Sequence, residues 1–204
     1  MMKTAAAPTQ LILASGSAIR ADILRAAGVP FTIAKPDVDE DAIKDRGKRA
    51  GKTLHDIARD LADAKALAVN VAAESLVLGA DQIMAFAGEG FDKPKTLSEA
   101  RARLLELQGR THSLINAVSI ARAGEIVFRN IVEPQLGMRA MSATEIDDYF
   151  REAGEGVLAS VGAYQVENLG ARLFERIEGD YFAVLGLSLF PVLGYLRACG
   201  FLRF

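Results

Sequence analysis

Three short segments carry side chains of the kinds and spacings that chemistry on a phosphate would use. The first is Ala14-Ser15-Gly16-Ser17-Ala18-Ile19-Arg20, which follows an apolar run and opens a helical pattern. The first N–H groups of a helix lack intrahelical partners, and the dipole there favours an anion. Gly16 permits close backbone approach, Ser15 and Ser17 bring hydroxyl donors, and Arg20 adds a planar fork for phosphate oxygens. The spacing and the missing lysine exclude a Walker A loop, and the dinucleotide glycine fingerprint is absent. An ordinary capped helix start accounts for the same residues.

The second segment, Gly79-Ala80-Asp81-Gln82, ends another apolar run. Open α/β sheets place ligands outside the carboxyl ends of their strands. A carboxylate such as Asp81 would there hold a divalent cation or accept a proton from water. A hairpin following it returns the chain, bringing Lys93 back towards Asp81, where it would offset charge developing on an attacked phosphate. The alternative is a surface turn with a solvated ion pair. Asp37, Asp39 and Glu40 form the third group, in a charge-dense stretch from Asp37 to Lys52 that reads as a mobile loop. Beside a phosphate cradle and Asp81, one of them would complete a magnesium site of carboxylates, substrate oxygens and waters; the spacing is not that of an EF-hand. His55 and His112 have no ligand-spaced partner, which argues against a zinc site or a Ser-His-Asp triad.

The elements that must hold these residues follow from periodicity and caps. Residues 1–9 read as a loose arm and Leu11–Ala14 as a short buried strand. Ser17 caps a helix with Ile19, Ile23, Leu24 and Ala27 on one stripe, ended by Gly28 and Pro30. Phe31–Ala34 is extended. Thr53 caps a second helix whose apolar side carries Leu54, Ile57, Ala58, Leu61 and Leu67. Ser75–Gly79 is the next strand, and Ile83–Phe86, the turn at 87–90 and Phe91 make a hairpin. Ser98 opens a helix through Leu107, closed by Gly109. Two long strands, Thr111–Ala121 and Glu125–Arg139, meet at Gly124. Ser142 and Glu145 form a capping box for a helix to about Ala153. Ala171–Ile177 alternates, and a last helix runs from Ser188 to Ala198, where Leu187, Leu189, Phe190, Leu193 and Leu196 form core or a subunit interface. The pattern predicts an α/β fold with a mixed sheet and flanking helices.

Composition bounds the function. The chain has 204 residues, 50% of them hydrophobic, with 24 basic against 26 acidic and a formal net charge of -2. That balance argues against a nucleic-acid polymer as partner, but not against a small phosphorylated ligand met by a few local cations. A single cysteine, Cys199, excludes a disulfide framework and a cysteine-based zinc site. No apolar run near the N-terminus is long enough for a signal peptide or a membrane span, so a cytoplasmic protein is expected.

Taken together in this order, several segments resemble the Maf family of nucleoside triphosphate pyrophosphatases. They are LASGSAIR (13–20), DVDE (37–40), GADQ (79–82), KP (93–94), GRTH (109–112), VGAY (161–164) and IEGDYFAVLGLSL (177–189). The resemblance implies an inosine-triphosphatase-like α/β fold of two lobes around a cleft, formed by the chain as one domain. It implies hydrolysis between the α and β phosphates, to a nucleoside monophosphate and pyrophosphate, with a divalent metal, Mg2+ or Mn2+. It assigns proton acceptance to Asp81, a catalytic role to Lys93, phosphate binding to Ser15, Ser17 and Arg20, and metal binding to Glu40 and Asp81. Ile19, Gln82 and Glu167 fall on its substrate-selecting positions. Ile19 stands where arginine is usual, Gln82 where threonine is common, and Glu167 where glutamine is common. Gln82 with Glu167 resembles the branch acting on 7-methyl-GTP, although that branch carries tryptophan at the position of Ile19. The apolar C-terminal elements leave a homodimer open, and the other implication of the resemblance is a nucleotide-binding regulator of septum formation with little catalysis.

Overall fold

The computed structural model describes residues 7–204. Among the described residues, eight strands, β1 (Gln10–Ala14), β2 (Thr32–Ala34), β3 (Ser75–Phe86), β4 (Glu89–Phe91), β5 (Thr111–Arg122), β6 (Glu125–Val132), β7 (Gln135–Met138) and β8 (Phe174–Glu178), are hydrogen-bonded in the order β2-β1-β3-β5-β7-β8, with β4 on β3 and β6 on β5. Contacts divide the chain into two compact units. Of the described residues, the first comprises 7–81, 116–132 and 186–204; the second comprises 82–115 and 133–185. Strands β3 (Ser75–Phe86) and β5 (Thr111–Arg122) contribute to both.

In the first unit, β1 (Gln10–Ala14) runs parallel to β2 (Thr32–Ala34) on one side and to β3 on the other. Leu11, Ile12, Leu13 and Ala14 are all buried, as a parallel strand covered on both faces requires. Helix α1 (Ala18–Ala26) starts at Ser17, as the sequence indicates. Helix α3 (Leu54–Leu67) begins with a capping box in which Thr53 Oγ1 accepts from the Asp56 N–H while the Asp56 carboxylate accepts from the Thr53 N–H. Its buried positions are Ile57, Ala58, Leu61, Ala62, Lys65 and Ala66; Leu67 lies off that stripe and is exposed. Strand β6 (Glu125–Val132) pairs antiparallel with β5, and α7 (Leu189–Ala198) starts at Ser188. Leu187, Leu189 and Leu196 of the C-terminal stripe are buried and Leu193 is half-buried, but Phe190 is exposed.

Several expectations are corrected here. The stretch from Asp37 to Lys52 is not a loop, since it holds α2 (Glu40–Arg49). Its apolar stripe is nearly absent, which hid it, and other forces support it. Asp39 Oδ1 accepts from the Ala42 N–H, acidic Glu40 and Asp41 lie in the first turn, and Arg46, Lys48 and Arg49 lie in the last. Strand β3 is continuous through Phe86, so Asp81 sits within it rather than at its end. It is β1 that ends there: Ala14 pairs with Gly79, and the chain then leaves for α1. Part of the expected loose arm lies outside the described residues, yet Pro8 is buried and the Thr9 N–H donates to the Glu74 carbonyl.

The second unit contains the β3–β4 hairpin, with β4 at Glu89–Phe91 and Ala87 and Gly88 both at positive φ, the geometry a two-residue turn needs. Helix α4 (Leu97–Leu107) is capped by Thr96, whose Oγ1 accepts from the Glu99 N–H, and not by Ser98. The strand expected over 125–139 breaks at Glu133-Pro134, where proline has no N–H for a ladder. Its second part, β7 (Gln135–Met138), pairs with β5 and with β8 (Phe174–Glu178). Residues Leu169–Leu173, expected to be partly extended, form a 3₁₀ turn. The capping box at Ser142 and Glu145 starts α5 (Ala143–Ala153), and a five-residue helix, α6 (Tyr181–Leu185), follows β8.

The core of this unit includes Leu104, Leu107, Leu136, Ile146 and Tyr164. His112 is buried among them, its Nε2 sharing a hydrogen bond with the Tyr164 hydroxyl and its ring packing near Tyr164 and Phe174. Burial pushes its imidazole down to about 4, and Nδ1 has no partner that could accept an added proton. The unfolded chain therefore protonates first, so this contribution to stability is complete above the ordinary value of 6.5 and fades as pH falls from there towards 4. Unfolding free energy should drop by roughly 2 kcal/mol between about pH 7 and pH 5 from this group alone. His112→Gln, which cannot titrate, should lose that slope in denaturant titrations; an unchanged slope would contradict it.

Candidate active site

Helix α3 comes so close to β3 at Gly79 that no side chain fits between them. A Cβ placed on Gly79 would lie 2.3 Å from the Ala62 carbonyl oxygen and 2.6 Å from the Ala66 nitrogen. The glycine of the GADQ segment is thus a packing requirement, with Ala62 and Ala66 as the small residues facing it. This approach carries Lys65 to Asp81. Lys65 Nζ donates to Asp81 Oδ1 at 2.6 Å, and both residues are buried, 7% and 6% exposed. The same ammonium lies 2.9 Å from Glu40 Oε1. Glu40 reaches it because α2 and α3 also meet closely, a Cβ on Gly47 falling 2.7 Å from Ile57.

The turn after β1 completes the cluster. Ser15 is buried, and its Oγ accepts from the Ser17 N–H and from the Arg20 guanidinium, each at 3.2 Å. Arg20 Nε donates to the Gly186 carbonyl at 2.7 Å. Burial lowers the Arg20 pKa, and the charges of Asp81 and Glu40 oppose that shift, so the guanidinium feels both carboxylates. Ser17 occupies the N-cap position of α1 but its side chain caps nothing, which leaves the first N–H groups of the helix to an incoming acceptor.

The backbone beneath is pinned by Asn116, fully buried in β5. Its amide donates to the Asp81 carbonyl at 3.5 Å, and its oxygen accepts from the Ser188 N–H at 3.0 Å. Ser188 Oγ in turn accepts from Asn130 at 3.3 Å. Gly186, at φ +114, adopts a backbone conformation that other residues rarely reach, and so presents its carbonyl to Arg20.

The structure therefore gathers five of the expected residues, Ser15, Ser17, Arg20, Glu40 and Asp81, within the first unit. Sequence reasoning missed Lys65, Asn116, Gly186 and Ser188. A signal for Lys65 was present, because it continues the buried stripe of Ile57, Ala58 and Leu61 in steps of three and four. Ile19 is half-buried at the start of α1.

Three further expected residues, Lys93, Glu167 and Gln82, belong to the second unit. Lys93 is exposed between β4 and α4, in a loop whose Asp92 carbonyl accepts from Arg103. Glu167 is exposed, next to buried Val166. Gln82 Nε2 donates to the Ala183 carbonyl at 2.7 Å and to the Val184 carbonyl at 3.3 Å. Carbonyls only accept, so the amide must turn its NH2 to them and leave Oε1 as its free end.

Among the described residues, no group of three His, Cys, Asp or Glu side chains forms a metal cage. Glu40 and Asp81 offer two carboxylates at one point already shared by a cation. Two hard oxygen ligands, with substrate phosphates and waters supplying the rest, suit Mg2+ or Mn2+.

The chain matches the family described as Maf-like protein over residues 10–199. It belongs to that family. Its relatives include a nucleoside triphosphate pyrophosphatase of Maricaulis maris, 48% identical over 96% of this chain and 99% of the relative. Another, of Rhodospirillum rubrum, carries the same name and is 45% identical over 94% and 96% of the two chains. A 7-methyl-GTP pyrophosphatase of Brucella abortus is 41% identical over 92% and 95%. Within the Maf-like framework, the mixed sheet with flanking helices is the scaffold that sets Lys65 between two carboxylates. No helix among the described residues is long and apolar enough to cross a membrane.

The close approach at Gly79 generates a direct expectation. Gly79→Ala must push α3 from β3 against backbone atoms that cannot swing away. It should lower unfolding free energy by about 1–3 kcal/mol, measured by chemical denaturation, and move Lys65 off Asp81. Wild-type stability would refute the packing role.

Proposed function

We propose that this chain is a nucleoside triphosphate pyrophosphatase, cleaving between the α and β phosphates to give a nucleoside monophosphate and pyrophosphate. The single observation that carries the reading is the grouping of Ser15, Arg20, Glu40, Lys65 and Asp81 in a Maf-like chain. The open N-terminus of α1, the Ser15 and Ser17 hydroxyls and the Arg20 fork bind the triphosphate. Lys65 Nζ occupies Asp81 Oδ1 here, and the carboxylate oxygen not taken by a cation accepts a proton from the attacking water. Arg20 and Lys65 offset charge gathering on the departing pyrophosphate, and Lys93 is assigned the same task by its family position. Glu40 and Asp81 would hold a divalent cation, which when bound polarises the phosphoryl oxygens.

The substrate reading is a 7-methylguanine nucleotide. Gln82 has its amide protons engaged by Ala183 and Val184 and offers only an acceptor, and Glu167 carries a carboxylate, so both selecting positions present acceptors. A guanine Watson–Crick edge presents N–H donors, and methylation makes the purine cationic; thymine or uracil would meet these acceptors with carbonyls of its own. The relatives named for 7-methyl-GTP support the same choice.

Asp81→Asn should lower kcat for pyrophosphate release by about 10²- to 10⁴-fold with the fold intact by circular dichroism; near-normal turnover would sink the assignment. Across a panel of triphosphates including 7-methyl-GTP, wild type should release monophosphate and pyrophosphate. Binding without release would instead favour a nucleotide-binding regulator. Combining Glu167→Gln with Gln82→Thr should shift kcat/KM towards pyrimidine triphosphates, and an unchanged profile would refute the base-reading role.

A further inference from the structure

The two cations of the cluster are held in different ways. Arg20 is anchored to a backbone carbonyl and a hydroxyl, Gly186 and Ser15, by bonds that do not depend on the carboxylates. Among the described residues, Lys65 Nζ is held by the two carboxylates, at 2.6 Å from Asp81 and 2.9 Å from Glu40. Its stem is flexible, while its Cα is fixed by the close approach of α3 to Gly79. The site is also asymmetric, since the Asp81 side chain is 9% exposed and that of Glu40 is 44% exposed. A cation entering from solvent therefore meets Glu40 first, and finds the point it would share with Asp81 taken by an ammonium.

Two carboxylates face two cations here, so the cluster is balanced before any ligand arrives. Evicting Lys65 in favour of a free divalent ion would leave a largely buried ammonium with no acceptor, which is costly. A triphosphate changes that balance, because it supplies oxygens that can receive the ammonium as the metal takes its place. We propose that Lys65 is a built-in stand-in for the divalent cation, which keeps the Glu40–Asp81 pair closed to free metal and moves onto phosphate oxygens when metal and triphosphate arrive together. This rests on the pyrophosphatase reading, and makes the metal–nucleotide complex, rather than a metal-loaded protein, the species recognised.

The test is Mn2+ binding followed by electron paramagnetic resonance on the full chain, with no turnover. Wild type should bind Mn2+ about tenfold or more weakly without nucleotide than with α,β-methylene-7-methyl-GTP present. Lys65→Met should bind Mn2+ about tenfold or more tightly than wild type in the absence of nucleotide, and gain less from the analogue. Lys65→Gln, which keeps a donor but no charge, should behave likewise and serves if the methionine variant does not fold. Equal affinity of wild type with and without the analogue, or no tightening in a folded Lys65 variant, would overturn the inference. Failure of the underlying reading shows separately, as absence of pyrophosphate release from every triphosphate with Mn2+ supplied.

Discussion

The arrangement depends on a distance that only glycine permits. Gly79 lets α3 lie against β3, and that contact puts the Lys65 ammonium on Asp81 at 2.6 Å in a buried setting. A buried carboxylate or ammonium alone is costly, and each here is tolerable because the other is present. Glu40 joins through the matching approach of α2 to α3 at Gly47. The β1–α1 turn, which Ser15 closes on itself, and the Gly186 carbonyl fix Arg20 beside them. Asn116 then ties the Asp81 backbone to Ser188. These charged side chains are thus held by close packing and backbone contacts around them.

Much of this scaffold was legible in the sequence where periodicity and caps agreed. Strand β1, the start of α1 at Ser17, the Thr53 and Ser142 capping boxes and the start of α7 lie where the residues indicate. Helix α2 was not legible, because its stability comes from charges matched to the helix ends and a glycine against Ile57, and neither leaves an apolar stripe. Lys65 was overlooked for the opposite reason, being a charged residue inside an apolar stripe. Asn116 was hidden in an unbroken buried strand, where one polar residue reads as an interruption until its partners are seen. The placement of Asp81 at a strand end was wrong in element, since β3 runs on past it and it is β1 that ends beside it.

The near-neutral charge of the whole chain has a local counterpart. Arg20 and Lys65 against Glu40 and Asp81 give a cluster with no strong excess, so affinity for a triphosphate must come with additional positive charge. On the proposed reading, a divalent cation held by the two carboxylates and the substrate itself would supply that charge. The proposed selectivity follows a different rule: Gln82 is oriented by the carbonyls of α6, and its acceptor would act with the Glu167 carboxylate. In the proposed reading, catalysis would rest on held charges, and base choice on the polarity of the acceptors presented.

The most direct test of the central claim is crystallographic, using wild-type protein with Mn2+ and α,β-methylene-7-methyl-GTP. Anomalous density should place the metal on Glu40 and Asp81, with phosphate oxygens against Ser15, Arg20 and a displaced Lys65. A triphosphate bound elsewhere, with Lys65 still on both carboxylates and no metal between them, would contradict the account.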